Sequence, residues 1–74
     1  MSRVGITGWR DGLQTIPMIK AIRQYAGLNL AEAKARTEEV VQGAIVILLV
    51  SDSRDAQTLR DELTALGAIS EIEE

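Results

Sequence analysis

Three groups of residues in this chain have the types and spacing that could do chemistry. The first is a pair of acidic doublets, Glu38-Glu39 and Asp61-Glu62. Both fall in stretches of helical periodicity, where neighbours diverge by about 100°, so neither doublet can turn two carboxylates onto one substrate. Nor does either sit in the oxygen-rich loop that calcium needs. Solvated helix faces account for them better. The second is Gly5-Ile6-Thr7-Gly8, which lacks the G-x-G-x-x-G spacing before a helix that cradles a nucleotide phosphate. The third is Ile16, Ile19, Lys20 and Arg23, which gather on one side of a predicted helix. Two isoleucines with two cations make an apolar centre rimmed by positive charge, the pattern of a protein-docking patch. Lys34, near the end of that helix, can extend it. The competing account, an isoleucine covered by a neighbouring helix, weighs more on Ile16 than on Ile19.

Composition removes most other chemistry. The 74 residues include no cysteine and no histidine. Disulfides, thiolate zinc sites and cysteine nucleophiles are therefore excluded, and so are a Ser-His-Asp triad and a histidine metal cluster. A binder without cofactor or metal is expected rather than an enzyme. The longest apolar run, Ala44 to Val50, has seven residues, where a membrane span needs about twenty. No signal-peptide pattern opens the chain, so a soluble, cytoplasmic domain is expected.

Charge is unevenly placed. Residues 1–43 carry six basic and four acidic groups, a net +2, whereas residues 44–74 carry two basic and seven acidic, a net −5. Such a dipolar chain suits steering toward an acidic protein surface. Nucleic-acid binders are usually basic overall, with aromatics set in the basic surface. Here the net charge is −3 and the only aromatics are Trp9 and Tyr25.

These residues must be positioned by six elements, cut apart by Gly12, Gly27, Gly43 and Gly67. Residues 3–9 read as a strand, with Val4, Ile6 and Gly8 on one face and Arg3, Gly5, Thr7 and Trp9 on the other. Its glycines would let a helix cross closely. A helix follows from Thr15, the expected N-cap, with Met18, Ala21, Ile22 and Tyr25 toward the sheet. Asn29-Leu30-Ala31-Glu32 has the form of a capping box and opens a second helix to about Gln42. The stripe of that helix is Leu30, Ala33, Thr37, Val40 and Val41. Ala44 to Val50 reads as a strand. Asp52 caps a third helix with the stripe Ala56, Leu59, Leu63 and Leu66, ended by Gly67. Ala68 to Glu73 reads as an exposed edge strand.

A right-handed crossover makes the second and third strands parallel, and the first fits between them, antiparallel to both. The expected fold is a two-layer α/β sandwich of order β-α-α-β-α-β. Its three-stranded sheet runs 2-1-3, with all three helices on one face, and residues 1–74 form a single domain.

Met18-Ile19-Lys20-Ala21-Ile22-Arg23, followed by Ala26-Gly27-Leu28-Asn29-Leu30-Ala31-Glu32-Ala33-Lys34, resembles the C-terminal domain of the bacterial ribosomal stalk protein. That family reads V-I-K-x-V-R-x-x-x-G-L-G-L-K-E-A-K over the same stretch. The likeness continues through Val50-Ser51, Asp55-Ala56, Leu59, Leu63 and Leu66-Gly67-Ala68, and covers about residues 4–73. The resemblance implies recruitment of translational GTPases through the exposed side of the first two helices. By position the docking residues would be Ile19, Lys20, Arg23 and Lys34, with Gly27 forming the corner. Three positions depart from the pattern: Thr15 and Ala31 stand where lysines are usual, and Asn29 replaces the second corner glycine. The stalk protein's dimerisation domain and hinge have no counterpart in these residues, so a free-standing paralogue is expected.

The adaptor that delivers N-degron substrates to the Clp protease is similar in fold. Thr15-Ile16-Pro17-Met18 is faintly similar to its T-P-M lead into the first helix, but its acidic pair and pocket histidine have no match here. A third possibility is a structural oligomer built through the sheet, by way of Ala68 to Glu73 or the face bearing Trp9. A monomer or weak homodimer is expected.

Overall fold

Alternate aliphatic positions in two short stretches, Val4 and Ile6 against Val46, Leu48 and Val50, bury one side of a sheet completely or almost so. The computed structural model describes residues 1–73; Glu74, counted above among the acids, lies outside them. The elements run β1 (Ser2–Trp9), α1 (Thr15–Ala26), α2 (Leu30–Val41), β2 (Val46–Val50), α3 (Ser53–Ala65) and β3 (Ala68–Glu73). The sheet order is β2-β1-β3, with β1 antiparallel to both neighbours. This is the expected two-layer fold. Met18, Ile22, Ala33, Val40, Ala56, Leu59 and Leu63 from the three helices close the core over the inner face. Each large aliphatic buried there contributes about 1.5–3 kcal/mol of transfer free energy.

Helix α3 forms as its sequence predicts. The Asp52 carboxylate accepts from the Arg54 N–H at 2.7 Å, and Asp55 lies in the first turn, where the helix dipole favours negative charge. The chain leaves α3 through Gly67 at φ +105, where a Cβ would come within 3.1 Å of Leu13 Cα. Conformation favours glycine there, and a Cβ would also press on the Leu13 backbone. Across that close approach the Gln14 N–H donates to the Leu66 carbonyl at 3.0 Å and the Arg10 N–H to the Gly67 carbonyl at 2.8 Å. The end of α3 thereby fixes where α1 begins.

Three local expectations are corrected. β2 starts at Val46 rather than Ala44, because the Ala44 N–H still donates to the Glu39 carbonyl at the end of α2. The register between β1 and β3 slips between Ile6 and Gly8, so Gly8 pairs with Ile69 and Trp9 with the buried Ala68. A slip of one residue moves side chains to the opposite face. Trp9 thus turns to the helix side, where its indole N–H donates to the Val41 carbonyl at 3.2 Å. Nor do the strand glycines admit a helix. A Cβ on Gly5 would meet Glu73 and Ile47, and one on Gly8 would meet Ile69, all on the open face.

Candidate protein-docking site

The site is built on α1 and its corner with α2. Thr15 is the first residue of α1, not its cap; Gln14 holds the cap position and makes no side-chain hydrogen bond. Pro17 is tolerated because its missing N–H falls among the donors that have no partner in a first turn. Met18, Ala21 and Ile22 face the sheet and are buried, so the residues between them must point elsewhere. Ile16 is 64% exposed, and Lys20 and Arg23 stand in solvent beside it.

The corner aims the second helix. Gly27 caps α1 in the left-handed region at φ +69, a conformation that costs other residues about 1–2 kcal/mol. Two residues on, the capping box closes as predicted. The Asn29 side chain accepts from the Glu32 N–H at 2.8 Å, and the Glu32 carboxylate accepts from the Asn29 N–H at 3.1 Å. Both donors are satisfied locally, so the start of α2 can lie against α1 without help from solvent.

This corner brings the two helices together around an open groove of about 300 Å³, lined by Ile16, Ile19, Lys20, Arg23, Leu30 and Lys34. Four of the five residues singled out from the sequence, Ile19, Lys20, Arg23 and Lys34, line it. The fifth, Gly27, does not; it shapes the corner. Among the described residues, none of the three cations pairs with a carboxylate, and no acidic residue lines the groove. It therefore presents an apolar floor and positive charge of one sign. Such a surface can hold an aliphatic side chain while attracting acidic neighbours.

The isoleucines trade the roles expected of them. Ile19 is half-buried and packs against the core, while Ile16 is the exposed one. Ile19 lies between the sheet-facing stripe and the outer side, and α2 packs along that flank. Leu30 was missed. Placed in the buried stripe of α2 by its apolar character, it is 54% exposed and lines the groove. The available signal was its i, i+4 relation to Lys34, which puts both on one flank. Val41, at the far end of the same expected stripe, is also exposed, by 41%.

No group of three or more possible metal-ligating side chains occurs among the described residues, and none of their helices is long and apolar enough to cross a membrane. The model of the ribosomal protein L7/L12 C-terminal domain matches residues 5–73. The chain belongs to that family. It is 45% identical over 62 residues to the large ribosomal subunit protein bL12 of Blochmanniella pennsylvanica (strain BPEN), covering 82% of this chain and 48% of the relative. To the bL12 of Blochmanniella floridana it is 44% identical over 62 residues, covering 82% of this chain and 46% of that one. The chain thus spans about half the length of the curated relatives it matches. A ribosomal, non-enzymatic family agrees with the reading of a binder rather than an enzyme.

Proposed function

We propose that residues 1–74 act as one protein-binding module of stalk type in the cytoplasm, docking a translational GTPase through the groove between α1 and α2. The observation that carries this reading is the groove itself. Ile16, Ile19 and Leu30 supply its apolar surface, and Lys20, Arg23 and Lys34 charge it with no acid among its walls. An acidic surface carrying a protruding aliphatic side chain is complementary to it. Ile19 and Leu30 supply apolar contact, the three cations steer the encounter, and Gly27 holds the two helices at the angle that opens the groove.

The test is a titration of the isotope-labelled chain with purified translational GTPases, followed by amide shifts at low and high salt. Shifts confined to α1, the corner and the first turn of α2 are expected. Arg23→Glu should weaken binding chiefly through slower association, with a loss that shrinks as salt screens the charge. Ile19→Ala should weaken it at every salt concentration, since it removes apolar contact. Shifts on α3 or on the open sheet face, or none with any such GTPase, would sink this reading.

A further inference from the structure

The sheet has two open edges, and they are guarded differently. β3 carries Glu71 and Glu73, and its pairing with β1 is broken by the slip between Ile6 and Gly8. Charge and irregularity of this kind keep a natural edge from recruiting another strand. β2 has neither. Residues 44–50 contain no charge, proline or glycine, and β2 itself, Val46–Val50, pairs with β1 in unbroken register from Ser2↔Val50 to Ile6↔Val46. Among the described residues, no backbone hydrogen bond from outside the sheet covers the edge of β2.

The surroundings of that edge select its occupant. On the open face Ile47 and Leu49 are 44% and 56% exposed, and Ile45, just ahead of the strand, is 68% exposed, so an apolar row follows the free side of the sheet. A groove of about 340 Å³ lies beside Ile47, Leu48 and Leu49, walled by Ala26, Leu28 and Arg36. Its one charge is already held, because the Arg36 guanidinium meets Glu39 at 2.7 Å. A strand that fits here is uncharged and aliphatic, and the exposed strand of that kind in this molecule is β2 itself. Pairing β3 with its own copy would set Glu71 and Glu73 against like charges. Pairing β2 with β3 of another copy would lay carboxylates on the aliphatic row and leave a head-to-tail contact that does not close.

We propose that β2 pairs antiparallel with β2 of a second copy about a two-fold axis, joining two sheets into one of six strands. The pairing is self-complementary: it sets aliphatic side chains opposite one another and opposes no like charges. Five paired residues and one aliphatic row are a small contact beside the roughly 1,200–2,000 Å² of a stable interface. The dimer is therefore weak and forms as concentration rises. This surface shares no wall residue with the groove between α1 and α2, so the two readings stand or fall separately.

Sedimentation equilibrium from micromolar to millimolar concentration tests it, on the chain and on Ile45→Lys, Ile47→Lys, Ile69→Lys and Glu71→Lys, with circular dichroism to show that each is folded. The chain should dimerise reversibly. Ile45→Lys and Ile47→Lys should weaken dimerisation roughly tenfold or more, since each lysine is counted twice across the axis. Ile69→Lys and Glu71→Lys, on the far side of the same face, should leave it unchanged. Hydrogen exchange should show the β2 amides that point away from β1 protected at high concentration and open when dilute, while those already bonded to β1 stay protected throughout. If Ile47→Lys unfolds, Ile45→Lys carries the test, as its side chain is the most exposed of the row. A chain that stays monomeric at millimolar concentration overturns the proposal. So does association that survives Ile45→Lys, or that is lost in Ile69→Lys or Glu71→Lys.

Discussion

Two grooves flank α1, and they are close in size. The one toward α2 measures about 300 Å³ and the one toward α3 about 280 Å³. Lys20 stands on the rim of both, yet the two surfaces differ in kind. Toward α2 the walls are Ile16, Ile19 and Leu30 with three cations. Toward α3 they are Pro17, Ala21, Ala65 and Leu66, with Lys20, Gln24 and the acidic Glu62. The first has three bulky aliphatic side chains and charge of a single sign; the second has one, Leu66, beside smaller apolar residues, and one charge of each sign. Volume therefore does not set the proposed docking surface apart. What marks it is exposed aliphatic area together with a field that is not neutralised at home.

The largest effect that can sharpen this contrast is one of stability alone. Leu63 on α3 is fully buried and belongs to the core. Leu63→Ala should cost about 2–5 kcal/mol in chemical denaturation, a large share of what so small a domain has. At temperatures where the variant remains folded, its affinity for a GTPase should be unchanged. A loss below about 0.5 kcal/mol would mean that α3 does not bear on the core as described.

The second effect sets the two grooves directly against each other. Arg23→Glu reverses a charge in the α2-side groove, and Glu62→Lys reverses one in the α3-side groove. At low salt the first should lower GTPase affinity roughly fivefold to tenfold, and the second should leave it level or slightly raised. Calorimetry at two ionic strengths measures both. Equal losses from the two changes would erase the distinction between the grooves.

Much of this arrangement can be read from residue order, and its gaps have physical causes. The capping box at Asn29 and Glu32, the α3 stripe of Ala56, Leu59 and Leu63 and the 2-1-3 sheet follow from local spacing and chain-crossing rules, and all are present. Trp9 was misplaced because strict alternation cannot foresee a register slip, which depends on how β1 meets β3. Leu30 and Ile19 lie at the margins of their helical stripes, where burial is decided by the neighbouring helix and not by the periodicity of their own. Residue type alone makes Thr15 a cap; it is instead the first helical residue, where backbone ties from Arg10 and Gln14 to the end of α3 hold the start of α1. Lys20 and Arg23 are exposed, as the wheel of α1 implies, and Lys34, which lies at the border of the α2 stripe, is exposed as well.

A smaller effect concerns the corner. Gly27→Ala should cost about 1 kcal/mol, since φ +69 is unfavourable for alanine although nothing crowds its Cβ. Asn29→Ala should cost a similar amount, about 1 kcal/mol, by removing one half of the capping box. Both changes should loosen the α2-side groove and leave the α3-side groove as it is. Amide shifts of Leu30 and Lys34 should therefore move more than those of Ala65 and Leu66. Shifts of the same size on both sides would show that the corner does not set the first groove apart.

The smallest effect lies on the α3 side and is read at alkaline pH. Burial pushes the Tyr25 hydroxyl above its ordinary pKa, and the Glu62 and Asp55 carboxylates of α3 add to the shift by opposing a phenolate. Because the folded value lies above the unfolded one, which is about 10, the native state holds this proton more tightly. The resulting contribution to stability is complete below the unfolded value and is lost as pH rises through the folded one. Tyr25→Phe cannot ionise there, so the variant's stability should fall less steeply than the parent's over that alkaline range. Denaturation midpoints for the two proteins, taken at steps from neutral pH upward, make the comparison, and titration of the other groups is common to both. Parallel curves would show that the acids of α3 do not reach Tyr25, and with that the α3 side would lose part of the acidic character that sets it apart from the groove proposed for docking.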